Sequence, residues 1–267
     1  MTATATHRDD ARGTSREPVQ HGGGALAGTG TLLRFNLRRD RVRLPVWTGA
    51  LFLGTLASLS SFQQSYATAA DQASIARTLD SAAGLAMSGP DHYLDDYGLG
   101  AMMGHQMLGF VAVLVGLMSV LTVVRHTRTE EETGRAELVR SAVVGRHAHL
   151  TAALATAAIS CLYLGVVLAA GMGMSGEAGI GWHGSLLYGA AHTAVGVAFA
   201  GIAAVTVQIT QYSRGASGMA LAAIGAAYAL RAAGDVGSGV LSWLSPIGWA
   251  QRTYVYVDDR WSPLLLD

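Results

Sequence analysis

The sequence predicts an all-α fold: a polytopic integral membrane helical bundle of about five transmembrane helices, with an N-terminal interfacial helix and a cytoplasmic coupling helix attached. Three observations carry that expectation. Hydrophobic residues make up 51% of the 267 and charged residues only 13%, about half the charge of a soluble domain. Five stretches, none containing Asp or Glu, reach or approach the roughly 20 residues a helix needs to cross the hydrocarbon core. The arginines also concentrate in alternate connecting segments, as expected of a chain threaded repeatedly through a bilayer.

Residues 1–30 are polar and Gly-rich, with His21 followed by three glycines, and lack an apolar core of the kind a secretory signal carries. They read as a flexible cytoplasmic tail, followed by a permease domain over 31–267. Order is expected from Thr31, where "TLLRFNLRRDRVRLP" sets Leu33, Leu37 and Leu44 on one helical stripe and Arg34, Arg38 and Arg41 on another. That pattern suits a helix lying in the headgroup region. Pro45 then opens the first span.

The spans fall at about 44–63, 100–124, 150–173, 182–208 and 215–234. The fifth is short, because sixteen residues separate Arg214 from Arg231, about 24 Å of helix against about 30 Å of hydrocarbon. It crosses only if both arginines snorkel or the helix continues past Arg231. Between the spans lie an external loop (64–99), a charged segment (125–148) and an external aromatic segment (235–267). Two small-residue faces, Ala190/Ala194/Ala198 and Gly218/Ala222/Ala226, are expected to pack helix on helix.

Orientation follows from arginine placement. Arg34, Arg38, Arg39, Arg41 and Arg43 precede the first span; Arg125, Arg128, Arg135, Arg140 and Arg146 lie between the second and third; Arg214 lies between the fourth and fifth. The opposite loops hold Arg77, Arg252 and Arg260 together with Asp71, Asp80, Asp91, Asp95, Asp96, Asp258 and Asp259. The N-terminus and the charged segment are therefore expected in the cytoplasm and the 64–99 loop outside, in a multi-pass protein of the plasma membrane.

All eighteen basic residues are arginine. Without lysine the chain has no Walker A loop and no Schiff-base amine, so any uphill work draws its energy from elsewhere. Net charge is zero, giving no general attraction to nucleic acid. The single Cys161 can form no internal disulfide and reads as a packing residue. His147 and His149 resemble a metal pair, but alternate residues of a helix diverge and no further ligand completes a set; no metal site and no catalytic residue are expected.

Residues 128–147 hold four glutamates and four arginines. Thr129 and Glu132 have capping-box spacing, Glu131 and Arg135 can pair at i, i+4, and Gly145 is placed to end a helix. Leu138, Ala142 and Val143 give that helix a narrow apolar stripe, suited to the membrane surface or to a groove on another protein. A merely solvated loop is the plainer alternative.

At this block the residues resemble a family. Glu-Glu-Glu-x-Gly-Arg-x-Glu-Leu, from Glu130 to Leu138, is similar to the charged coupling segment of type-2 ABC exporter permeases. "LSPIGWAQRTYVYVDDRWSPLLL", from Leu244 to Leu266, resembles the external segment before the sixth span in the actinobacterial tetronasin and polyketide-antibiotic exporter group. The resemblance covers residues 31–267 and suggests a first half. It implies cytoplasmic ATP-binding-cassette ATPase subunits as partners, with ATP and Mg bound there and no cofactor on this chain. It further implies a second permease half or a missing sixth span from elsewhere, contact with membrane lipids, and a hydrophobic small-molecule cargo. Matching position for position, Glu130, Glu131, Glu132, Arg135, Glu137 and Leu138 would face the ATPase. Pro246, Ile247, Gly248 and Trp249 would help to close the external exit.

Four residues near the outer ends of spans are candidates for a substrate path, His105 and Gln106 in the second and Tyr228 and Arg231 in the fifth, because intramembrane polar groups face a cavity or another helix. Headgroup-level hydrogen bonding for the first pair and snorkelling for Arg231 are the simpler readings. His192, deeper in the fourth span, is expected to bond a carbonyl across a helix interface. The leading functional expectation is an exporter subunit for hydrophobic, antibiotic-like compounds. Alternatives are a membrane enzyme using external His92, Asp95 and Asp96, and a gradient-driven carrier or channel, which the absence of acids in the spans disfavours.

Overall fold

The computed structural model describes residues 24–132 and 145–266, and among them every regular element is a helix. A bilayer demands this of single segments, since only a helix satisfies its own backbone in hydrocarbon. Helix α1 (Thr29–Arg39) ends on Arg38 and Arg39, cations placed at the partially negative carbonyl end. It buries Leu32 and Asn36, with Leu32 packed against Ala148 and Ala152. After a turn at Asp40, α2 (Arg43–Ser65) carries Pro45 in its first turn, where an absent N–H goes unmissed.

At the far end of α2, Thr68 and Asp71 form a capping box that opens α3 (Ala69–Leu79). Ser81 then caps α4 (Ala82–Ser88), its hydroxyl accepting from the Gly84 N–H at 3.1 Å. A 3₁₀ turn, Asp91–Asp96, completes this loop. The chain re-enters as α5 (Leu99–Met102), passes through a π turn (Met103–Met107) and continues as α6 (Leu108–Arg125), with the short α7 (Arg128–Glu132) just beyond. Three long helices follow, α8 (Ala148–Gly173), α9 (Trp182–Ile209) and α10 (Ser213–Val236), and then the short α11 (Pro246–Gln251).

Five helical runs are long and apolar enough to cross a membrane. The centre of the bundle is α6, α8 and α9; α2 and α10 flank it, with only 22% and 28% of their apolar windows buried against 67%, 56% and 56% for the other three. Close approach at the centre depends on residues without side chains. A Cβ on Gly165 would strike the Gly189 carbonyl and a Cβ on Gly189 the Gly165 carbonyl, so α8 and α9 meet backbone to backbone. Phe199 fills the space over Gly116, and Cys161 packs against Gly196.

Two expectations change here. Gly218, Ala222 and Ala226 face outward and are exposed; α10 instead buries Ala216, Ala220, Ile224 and Ala227, because Ile224 provides apolar area that the small-residue stripe lacks. Ala190 and Ala194 do not close a helix contact but line an open apolar groove between α8 and α9. Of the two ways the fifth span could cross, the second holds: α10 runs past Arg231 to Val236, 24 residues in all and about 36 Å, so neither arginine has to snorkel for it to span.

Candidate functional site

Charged residues gather at the arginine-rich end of the bundle. Asp40, in the turn between α1 and α2, accepts from Arg125 at 2.7 Å and lies 2.5 Å from His126 Nε2. Burial works against its charge, but the His126 hydrogen bond, with Arg125 and Arg43 nearby, holds the carboxyl below its usual value. The N–H groups of Glu130 and Glu131 both reach the Thr127 carbonyl at 3.2 Å, so α7 grows directly out of the end of α6.

Each glutamate of α7 then ties to a different element. Glu130 is buried: its carboxylate pairs with Arg39 of α1, lies 3.5 Å from His126 Nδ1 and 3.2 Å from His149 Nε2 of α8. Glu131 pairs with Arg128, whose Nε donates to the Val207 carbonyl of α9. Glu132 accepts from both the backbone N–H and the hydroxyl of Ser213, each at 2.6 Å, at the start of α10. The five residues of α7 thus hold the ends of α1, α6, α8, α9 and α10 together.

The expected capping box on Thr129 is not formed. The helix starts at Arg128, two residues before the start a Thr129 cap implies, Thr129 Oγ1 points back to the Val124 carbonyl at 3.5 Å, and Glu132 caps α10 instead of its own helix. Glu130 is turned into the bundle, which spacing could not show because its partners come from residues 39, 126 and 149. Arg135, Glu137 and Leu138 lie outside the described residues.

The opposite end is closed by a polar and aromatic cap. His105 Nε2 lies 3.1 Å from the Gly89 carbonyl, which can only accept, so Nε2 carries the proton. His105 Nδ1 then accepts from the Tyr97 hydroxyl at 2.9 Å, and Gln106 donates to that hydroxyl at 2.9 Å. Burial raises the Tyr97 hydroxyl pKa above its usual value, keeping it a donor. Tyr93, fully buried, donates to the Gln251 carbonyl and accepts from the Val255 N–H, both at 3.1 Å. The Gln251 amide donates to the carbonyls of Ser88 and His105.

Arg231 does not snorkel. It is fully buried, donates to the Met87 carbonyl at 3.2 Å and the Leu85 carbonyl at 3.5 Å at the end of α4, and lies 3.4 Å from Asp235. Its guanidinium sits 4.4 Å from the Tyr228 ring centroid, and the Tyr228 hydroxyl donates to the Met87 carbonyl at 3.0 Å. Asp235 also accepts from Ser242 at 2.8 Å and lies 3.8 Å from Arg252. Asp235 falls one residue beyond the span boundary drawn from hydropathy, so the sequence reading missed it; its position four residues after Arg231 was the available signal.

Around α11, Ser245 is the N-cap and Pro246 the first helical residue. Ile247 and Gly248 are buried, and a Cβ on Gly248 would strike the Ser242 backbone. Trp249 donates from its indole to the Trp243 carbonyl at 2.6 Å. Beyond it, Tyr254, Tyr256 and Asp259 have positive φ of 47°, 66° and 51°, a backbone cost of roughly 1–3 kcal/mol each held by the burial of this turn. His92 sits between Asp95 at 3.4 Å and Asp258 at 2.8 Å in a surface ion cluster. His192 bonds the Tyr188 carbonyl of its own helix at 2.7 Å and also interacts with the Leu108 backbone of α6 across the interface.

A bundle of five crossing helices, stapled by charge at one end and capped by a folded loop at the other, defines a multi-pass α-helical membrane protein. The chain belongs to the family described as Multidrug efflux system permease Rv1217c, C-terminal domain, whose model it matches over residues 30–266. It is 41% identical over 249 residues to the Multidrug efflux system permease protein Rv1217c of Mycobacterium tuberculosis (strain ATCC 25618 / H37Rv). That match covers 92% of this chain and 44% of the relative, so the chain spans less than half the length of this curated relative. The family description refers to a C-terminal domain, whereas the resemblance had suggested a first half.

Proposed function

We propose that this chain is the membrane-spanning permease part of an ATP-driven exporter of hydrophobic, antibiotic-like compounds, coupled to a separate ATP-binding subunit. Its relative is a multidrug efflux system permease by name. The observation that carries the mechanism is Glu130, a buried carboxylate shared by Arg39, His126 and His149. A displacement applied to segment 125–148 from the cytoplasm would reach α1, α6 and α8 through this joint, and α10 through Glu132. Glu131, Arg135, Glu137 and Leu138 then belong to the surface that meets the ATPase, where ATP and Mg are held. The absence of lysine fits a chain that leaves ATP hydrolysis to its partner.

In this reading the N-terminus is cytoplasmic and the capped end is external. His105, Gln106, Tyr228 and Arg231, with Pro246 to Trp249, form the exit closure, whose hydrogen bonds must be exchanged when cargo leaves. A second permease half, or a sixth span, completes the pathway. The test is transport in vesicles containing the chain and its ATPase partner. Glu130→Gln is expected to leave ATP hydrolysis largely intact while export of a hydrophobic dye falls about tenfold or more, a loss of roughly 1.4 kcal/mol in coupling. Dye movement that continues after ATP depletion but stops on collapse of the proton gradient would instead establish a gradient-driven carrier.

A further inference from the structure

Beside α7 at the arginine-rich end an open cleft of about 590 Å³ lies between α6 and the first turns of α10. Among the described residues three guanidiniums line it, Arg43, Arg125 and Arg214, and no acidic residue does. The hydroxyls of Ser213 and Ser217 add donors from α10. Leu121 and Leu221 continue the lining toward the middle of the bundle. Leu121 is four residues before Arg125 and Leu221 seven after Arg214, so the apolar part lies about 6–10 Å further into the membrane than the cations.

The cleft is under-neutralised. Two carboxylates face the three cations: Asp40, divided among Arg125, Arg43 and buried His126, and Glu132, which is bonded to Ser213 and also attracts Arg214. Among the described residues neither Arg43 nor Arg214 takes part in an ion pair, and Arg43 and Arg125 are close enough to repel one another. Three like charges facing one partly desolvated space cost Coulomb energy that a bound anion recovers. Guanidinium forks match phosphate oxygens in particular. Cations at headgroup depth, hydroxyl donors beside them and an apolar wall below together describe an amphiphile.

We propose that this cleft binds the phosphate headgroup of an anionic phospholipid from the leaflet at the arginine-rich end, with an acyl chain lying along Leu121 and Leu221. The inference is independent of what the protein transports. The test places the purified full chain in nanodiscs of equimolar phosphatidylglycerol and phosphatidylcholine and measures lipid retained after detergent extraction by native mass spectrometry. The wild type is expected to retain phosphatidylglycerol preferentially, and R43Q/R214Q to lose that preference by roughly tenfold. R34Q/R38Q, on an exposed face of α1, is expected to keep it. Ser217→Trp, which fills the cleft while sparing every arginine, is expected to expel the lipid and guards against misfolding of the arginine variant. Equal retention of the two lipids by the wild type overturns the site, as does equal loss in R34Q/R38Q. Glycerol 3-phosphate stabilising the chain in phosphatidylcholine nanodiscs as well as phosphatidylglycerol does would overturn the lipid in favour of a free phosphate.

Discussion

Asp40 has 3% of its side chain exposed, yet it remains a carboxylate because Arg125 and His126 both reach it. Since its pKa is lowered in the folded chain, its contribution is complete above the usual value of 3.8 and is lost as pH falls through the depressed one. Asp40→Ala is expected to cost roughly 3 kcal/mol by leaving buried cations unpaired, and the acid-induced fall in melting temperature below about pH 4 should flatten in that variant. Both are read by thermal unfolding in detergent across a pH series. Arg231 poses the same problem at the capped end. Removing it leaves buried Asp235 with Ser242 and the more distant Arg252, so Arg231→Ala is expected to destabilise by about 3 kcal/mol and to speed proteolysis of the 64–98 loop, whose α4 carbonyls it holds. R231A/D235A should recover part of that loss; no recovery would mean the pair is not the dominant interaction.

Among the elements, the contact of α8 with α9 is decided by Gly165 and Gly189, each seated on the other's carbonyl. Gly189→Ala is expected to cost about 1–3 kcal/mol by forcing the helices apart, measured as a lowered melting temperature, whereas Gly218→Ala, with nothing within 4 Å of its Cβ, should be neutral or slightly stabilising. This contrast shows how legible packing was. Small residues at four-residue spacing were visible in both α9 and α10, but spacing does not say which face a neighbour covers. The positions of the long helices were legible because apolar length is a local property of the chain. The start of α7 was not, because Thr127 serves α6 and α7 at once and Glu132 found a partner 81 residues away.

At the scale of the whole molecule, the two ends differ in kind. One is held by ion pairs and hydrogen bonds of charged groups that together reach five helices; the other is sealed by loop carbonyls, buried tyrosines and a strained turn. If the arginine-rich end is cytoplasmic, a cysteine introduced at Asp71 is expected to react with an impermeant maleimide on intact cells, and one at Arg214 only after lysis; the native Cys161 is buried and should stay silent in both. The reverse pattern would put segment 125–148 out of reach of any cytoplasmic motor. Of the candidate residues, the sequence singled out Glu130 to Glu132, His105, Gln106 and Arg231 as polar groups in unusual places. It did not single out Tyr93, Asp235 or Gln251, which looked like ordinary loop or boundary residues.

What the amino-acid order determined alone is everything set by neighbours in the chain: five apolar lengths, the uneven distribution of arginine, the absence of lysine and the capping of α3 and α4. What only the tertiary structure decided is direction. It turned Glu130 inward, drew Arg231 under the 64–98 loop and gathered Arg43, Arg125 and Arg214 around one cleft. For Glu130 this places charges from distant helices within a few ångströms of one another in a partly desolvated setting, where pairing outweighs the local preference of any one side chain for water.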